Sequence, residues 1–289
     1  MDWEKAKKTF IYLLILLNVV LLGLNYIEGT KYKMTQSEEA AVYKVLSSNG
    51  IGIYCDLIKK NKPMRSLSVS AAGTDPEIFK KIFFDENEDV QTILEFDRIV
   101  LKSNDKKLET DDNNIEFYCD VGTGKIENFG IQSAKEAAEK FAQNMNLNGK
   151  NKISLEKAYK NGENYVFEFD EEYSGYKIFS NRKKIEVSEK GIVYAQASYY
   201  NVESFTGDKR EICSCDEALL TVMYKIMSEK NSLGRYIENI ELGYDFQNSS
   251  EGYDQGTIRL VPCYMVYVSG IDKPYSVNAY TNEIIENAQ

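Results

Sequence analysis

Residues Phe10 to Ile27, FIYLLILLNVVLLGLNYI, run for eighteen positions without a charge, between Lys5, Lys7 and Lys8 on one side and Glu28 on the other. At a rise of about 1.5 Å per residue such a helix is about 27 Å long, close to the thickness of a hydrocarbon core. The run therefore predicts a transmembrane helix over 10–27. A basic start and an apolar core also describe a cleavable signal peptide, but the nearest approach to a small-x-small processing site is Ile27-Glu28-Gly29, whose first residue is large. No cysteine follows the run to carry a lipid anchor. Three lysines before the span, against Lys31 and Lys33 after it, place residues 1–9 as a cytoplasmic tail and the rest of the chain outside the membrane.

Asn18 and Asn25 interrupt the span. Seven positions apart, they fall on one helix stripe with Leu14 and Leu21, and Ile11 extends it. An amide in lipid is costly without a partner, and between helices it contributes roughly 0.5–2 kcal/mol of association. The stripe Leu14, Asn18, Leu21 and Asn25 is thus the candidate partner-binding surface. Asn25, near the outer end, has a second reading in which it simply reaches the headgroups.

The composition removes whole classes of chemistry. The chain has 289 residues, with 45 Asp or Glu against 35 Lys or Arg, a net charge of −10 and no histidine. Without imidazole there is no Ser/His/Asp triad, no Cys/His pair and no HExxH zinc site. An acidic chain is a poor polyanion binder, because nucleic-acid affinity comes mainly from Lys and Arg displacing counterions, so no nucleic-acid partner is expected. Hydrophobic residues, at 43%, suffice for a core.

Beyond the span three segments open alike: Thr35-Gln-Ser-Glu38, Ser133-Ala-Lys-Glu136 and Ser214-Cys-Asp-Glu217. Each is a [ST]-x-x-E capping box, followed by apolar residues at helical spacing such as Val42, Val45 and Leu46, or Leu219, Leu220 and Met223. Alternating, strand-like sequence comes after each, including 165–170, 184–188, 193–202, 240–246, 256–260, 263–268 and 275–279. Turns close the units at 123–126, 189–192 and 281–284. The expected fold is α+β: one transmembrane helix, then helix-on-antiparallel-sheet units at 35–129, 133–204 and 214–287. An extra helix, capped by Asp75 with Pro76 at its first position, is expected over 75–84 within the first unit.

Several constellations resemble catalytic or metal sites. Gly122-Thr-Gly-Lys125 lacks the spacing of a phosphate loop and is followed by Ile126 rather than Ser or Thr, so it reads as a turn. Asp85-Glu-Asn-Glu-Asp89 starts like a calcium loop, but Val90 and Phe96 stand where Gly and the closing Glu are required; it reads as a solvated acidic loop. Glu168, Asp170, Glu171 and Glu172 could pair as glycosidase carboxylates, yet Glu168 and Asp170 share the strand face opposite Phe167 and Phe169, as at a solvent edge. Neither a metal nor a cofactor is expected. The cysteines, Cys55, Cys119, Cys213, Cys215 and Cys263, are expected to be mostly free thiols in half-buried positions, with a Cys55–Cys119 bridge left open. The 21 tyrosines, including Tyr199-Tyr200 and Tyr264 to Tyr267, are expected mainly in strand packing.

The opening Met1-Asp-Trp-Glu-Lys-Ala-Lys, then Phe10-Ile11, Leu17-Asn18 and Leu21-Leu22, resembles the start of the YycI proteins of Gram-positive bacteria. Looser similarity runs through Tyr165-x-Phe167-x-Phe169, Tyr176-x-Ile178-Phe179 and Tyr275-x-Val277-Asn278-x-Tyr280. That resemblance implies a non-enzymatic, single-pass regulator of the WalK sensor histidine kinase, which governs cell-wall metabolism. It implies action with a sister protein, YycH, and contact with the kinase chiefly through transmembrane helices, here Leu14, Asn18 and Leu21, with Asn25 less central. Five cysteines depart from the family's pattern. The helix-on-sheet repeats also look like PepSY domains, which leaves an inhibitory or binding module as a rival reading, with an anchored wall enzyme as another.

Overall fold

The structure, a computed structural model, describes residues 3–285 apart from 72, 74, 97, 112, 147–150, 230–233, 248–252 and 255–256. Gly256, the first residue of one expected strand, and residues 286–287 of the third expected unit lie outside the described residues, as do residues 1–2 of the tail.

The long apolar run belongs to helix α1 (Trp3–Lys31), which extends beyond the expected span at both ends. The chain continues with α2 (Gln36–Ser48), β1 (Ile51–Ile53), β2 (Met64–Ala71), α3 (Pro76–Phe83), β3 (Gln91–Leu94), β4 (Ile99–Lys102), β5 (Lys106–Thr110) and β6 (Asn114–Cys119). Next come α4 (Ile131–Asn144), β7 (Lys152–Asn161), β8 (Asn164–Tyr173), β9 (Tyr176–Ser188), β10 (Gly191–Ser198) and β11 (Tyr200–Arg210). The chain ends with α5 (Cys215–Ser228), β12 (Arg235–Phe246), β13 (Tyr253–Asp254), β14 (Thr257–Val268), β15 (Tyr275–Asn278) and β16 (Glu283–Ile284). This is the α+β architecture that the alternation of capping boxes and strand patterns implies.

The helix starts follow from local hydrogen bonding. At α2 the Thr35 N–H donates to the Glu38 carboxylate at 2.7 Å and the Glu38 N–H donates to the Thr35 hydroxyl at 3.3 Å, a complete capping box. At α5 the Ser214 N–H donates to Glu217 at 2.8 Å. Asp75 accepts from the Glu77 N–H at 3.0 Å and caps α3 as its spacing predicts. At α4 the expectation fails: Ser133 is not the cap. The Gly130 N–H donates to the Ser133 hydroxyl at 3.0 Å, so the helix opens at Ile131 and Glu136 is engaged by Gln132 at 3.0 Å instead. Ser133 reaches backward here, which starts the helix a turn earlier.

One sheet takes up the strands in the order β11-β2-β14-β12-β9-β10-β6-β5-β4-β3. The contiguous units at 35–129, 133–204 and 214–287 do not correspond to the cores. The first of these segments is divided. Its α2 and β2 pack with α5, β12 and β14 around Val42, Leu46, Leu67, Leu219, Tyr244 and Val266. Its α3 and β4–β6 pack with α4 and β8–β10 around Phe79, Phe83, Leu108, Phe117, Ala138 and Phe167. The reason is strand pairing at long range: β2 lies between β11 and β14 rather than beside its chain neighbours.

Strand β9 joins the two halves. Its start pairs in parallel with β12, Lys177 against Gly243 and Ile178 against Tyr244, while its later part pairs antiparallel with β10. The β8–β9 register shifts between Asp170, opposite Arg182, and Glu171, opposite Ile178, so 179–181 bulge out of the ladder.

Candidate functional site

No residue of the apolar window of α1, Trp3–Asn25, is buried by the rest of the chain. The stripe lies along this uncovered helix: Leu14 is 43% and Leu21 47% exposed, and Asn18 and Asn25 are also exposed. Asn18 donates one amide hydrogen to the Leu14 carbonyl at 2.8 Å, within its own helix. That bond lowers the cost of an amide in lipid but uses only part of the side chain, leaving a carbonyl and a second N–H exposed to a neighbouring helix.

The helix runs on past Asn25 to Lys31 and is then tied to the sheet domain. Lys31 donates to Glu211 at 2.7 Å, and the Tyr32 hydroxyl donates to the same carboxylate at 3.1 Å. These hydrogen bonds raise the Lys31 pKa and lower that of Glu211. The backbone adds two more ties, Met34 N–H to the Lys59 carbonyl at 2.9 Å and Asn61 N–H to the Tyr32 carbonyl at 3.1 Å. These bonds connect the segment that follows the helix to residues 59–61.

The carboxylates that suggested hydrolase chemistry are arranged differently from a solvent edge. Asp170 is only 2% exposed and Glu171 1%, while Glu168 and Glu172 are half-buried. Strand β8 is interior, paired with β7 and β9, and Asp170 is met by Lys177 and Arg182 of β9, with Glu241 of β12 against Lys177. Glu156, Asp170 and Glu241 bring carboxylate oxygens within 4.8 Å of one another, a metal-like grouping. Lys177 serves as their cation, 3.4 Å from Asp170 and 2.7 Å from Glu241 and also bonded to Glu156, while Arg182 lies 3.3 Å from Asp170. Burial opposes the Lys177 charge, yet the bonds from Glu156 and Glu241 outweigh it and raise its pKa. Burial raises the Asp170 carboxyl, against the pull of Arg182 and Lys177. Next to this network, Glu171 accepts from Lys183, from Asn151 at 2.7 Å and from Asn181 at 3.1 Å, all four side chains being buried. Sequence reasoning missed Lys177, Arg182, Lys183 and Glu241: Arg182 and Lys183 meet Asp170 and Glu171 between the paired strands β8 and β9, and Lys177 meets Glu241 where β9 pairs with β12.

Other expectations resolve similarly. Gly122-Thr-Gly-Lys125 is a turn, docked on the turn at 189–191: Gly124 N–H donates to the Lys190 carbonyl at 2.9 Å and Ile192 N–H to the Thr123 hydroxyl at 3.0 Å. The acidic loop at 85–89 is not merely solvated, since Lys106 holds Asp85 at 2.9 Å and Glu88 at 2.8 Å. All five cysteines are free. Cys55 packs on one core and Cys119 on the other, which rules out the bridge left open above. Cys55 and Cys213 are half-buried as expected, whereas Cys119, Cys215 and Cys263 are fully buried, and burial pushes the Cys213 and Cys215 thiols up to about 12. Tyr199 and Tyr264 do pack within the sheet, the latter donating to the Cys213 carbonyl at 2.9 Å.

Fold and site together define an α+β protein carried on one exposed apolar helix that fits single-pass membrane anchoring. The YycI protein family model matches residues 30–280, most of the chain, and the chain belongs to that family. It is a family of regulators of the WalK two-component system and is not known as one of enzymes. The match begins at Thr30, so it rests on the part of the chain after the apolar span rather than on the leucine-rich opening. No curated protein matches. Among solved structures, an uncharacterized protein from Eubacterium rectale ATCC 33656 superposes with a TM-score of 0.55 at 14% identity, over 82% of this chain and 90% of the other, a likeness of fold. The Bacillus megaterium YpeB C-terminal domain gives a TM-score of 0.41 at 13% identity, over 73% of this chain and 93% of that one.

Proposed function

We propose that this protein is a non-enzymatic, membrane-anchored modulator of a WalK-like sensor histidine kinase, acting through α1, with residues 1–9 in the cytoplasm and the α+β part outside. The observation that carries the reading is the uncovered stripe of Leu14, Asn18 and Leu21 on a helix of a YycI-family chain. A helix with an incompletely bonded amide gains by packing on another span, and it biases the kinase by as much as its affinities for the kinase's signalling states differ. A YycH-like sister protein in the same membrane is the second partner. The ties from Lys31 and Tyr32 to Glu211 supply a route by which the outer domain acts on that contact.

The test is co-purification of the full-length chain, of its Asn18→Leu variant and of residues 31–289 with membranes carrying the kinase. Recovery by the full-length chain alone supports the helix contact, and Asn18→Leu is expected to reduce recovery severalfold. Equal recovery by residues 31–289 would move the interaction to the outer domain, as a PepSY-like binding module requires. Unchanged recovery and unchanged target-gene output with Asn18→Leu would remove the stripe from the mechanism.

A further inference from the structure

Between the end of α1 and the sheet domain lies an open cavity of about 690 Å³. Asn25 of the membrane helix lines it, together with three exposed cations, Lys62, Arg65 and Lys209. No acidic residue lines it, in a chain whose net charge is −10. The nearby Glu211 is already matched to Lys31, and none of Lys62, Arg65 and Lys209 has an ion-pair partner among the described residues. Aromatic rings back the cations: Tyr244 stands 5.8 Å from Tyr176 and 6.0 Å from Phe205, centroid to centroid, and both of those rings line the cavity too. The Tyr244 hydroxyl donates to the Arg65 carbonyl at 2.9 Å, which pins the main chain there and leaves the guanidinium exposed.

We infer that this cavity holds the headgroup of an anionic phospholipid of the outer leaflet. The inference rests on α1 spanning the membrane, and it stands whether or not α1 touches a kinase. Its position decides the occupant: a cavity that a membrane-helix residue lines opens at headgroup level. Lys and Arg there attract anionic headgroups, and aromatic rings with polar tips favour the same depth. Because the cavity is walled by both the helix end and segment 62–65, a bound lipid links the anchor to the sheet and makes that link sensitive to membrane charge.

The experiment offers equal amounts of phosphatidylglycerol and phosphatidylcholine to the full-length protein, stripped of lipid in neutral detergent, and counts retained lipid by native mass spectrometry. Lys5, Lys7 and Lys8 are changed to Gln in every sample so that the cytoplasmic cluster does not contribute. Phosphatidylglycerol should be retained at least about tenfold over phosphatidylcholine, and Lys62→Gln/Arg65→Gln/Lys209→Gln should abolish the preference. All three are exposed, so the melting temperature without lipid should not change; if it does, the single variants Lys62→Gln and Lys209→Gln should each reduce the preference severalfold. Equal retention of the two lipids, or a preference that survives the substitutions, overturns the inference. Complete displacement by the same concentration of glycerol 1-phosphate or of a polyglutamate peptide also overturns it, assigning the cavity to a soluble anion or an acidic protein segment. No kinase is present, so failure here does not bear on the proposed kinase contact.

Discussion

Lys183 and Glu171 meet where neither reaches water, with Asn151 and Asn181 filling the remaining bonds of the carboxylate and the Tyr199 ring 5.9 Å from the ammonium. Such a pair gains from its geometry about what desolvation costs, but either member alone is strongly unfavourable. Lys183→Met is therefore expected to destabilise the protein by about 3–5 kcal/mol, and Lys183→Met/Glu171→Leu to recover most of that loss, read from urea unfolding midpoints. Asp245 is a second buried acid, bonded to the Phe246 N–H at 2.9 Å and to Ser276 at 3.4 Å, with Arg182 and Cys263 also near it. Burial raises its pKa from 3.8 to about 6. With the folded value above the unfolded one, its contribution is complete below about pH 4 and is lost as pH rises through 6. The stability of the wild type relative to Asp245→Asn should therefore fall between pH 4 and pH 6, by up to about 3 kcal/mol, and level off above; melting curves across that range check it, and a flat difference would refute it.

Strand β9 pairs with strand β12 at Gly243. A Cβ there would stand 2.5 Å from the Lys177 carbonyl oxygen and 2.7 Å from the Phe179 ring, so only glycine lets the two halves of the sheet join. Gly243→Ala is expected to cost about 1–3 kcal/mol by overpacking, measured by chemical denaturation. At this scale the sequence was readable where the physics is short-range. The boxes of Thr35 with Glu38 and of Ser214 with Glu217, and the Asp75-Pro76 start, were legible because donor and acceptor are three residues apart or fewer. Ser133 misled because the same hydroxyl can cap forward or bond backward to Gly130, and only the approach of the chain to α4 selects between them.

Among the described residues an exposed helix is attached to two large cores and a small third cluster of Val261, Cys263 and Ile285, all along one sheet. Because the apolar window of α1 is not buried against either core, residues 31–289 should melt within a few degrees of the outer domain in the full-length chain, while recovering no kinase under the proposed function; circular dichroism and co-purification read the two separately. The apolar span, the polar stripe on it, the α+β class and the starts of α2, α3 and α5 were legible in the chain alone, since each depends on residues within a turn or two of one another. The lack of histidine also excluded imidazole chemistry outright. Long-range packing was needed to place β2 between β11 and β14, to gather Glu156, Asp170 and Glu241 around Lys177, and to bring Asn25 into a cavity with Lys62, Arg65 and Lys209. Such groupings bring together residues far apart in the chain, and alternating strand patterns specify which face is buried but not which strand lies alongside.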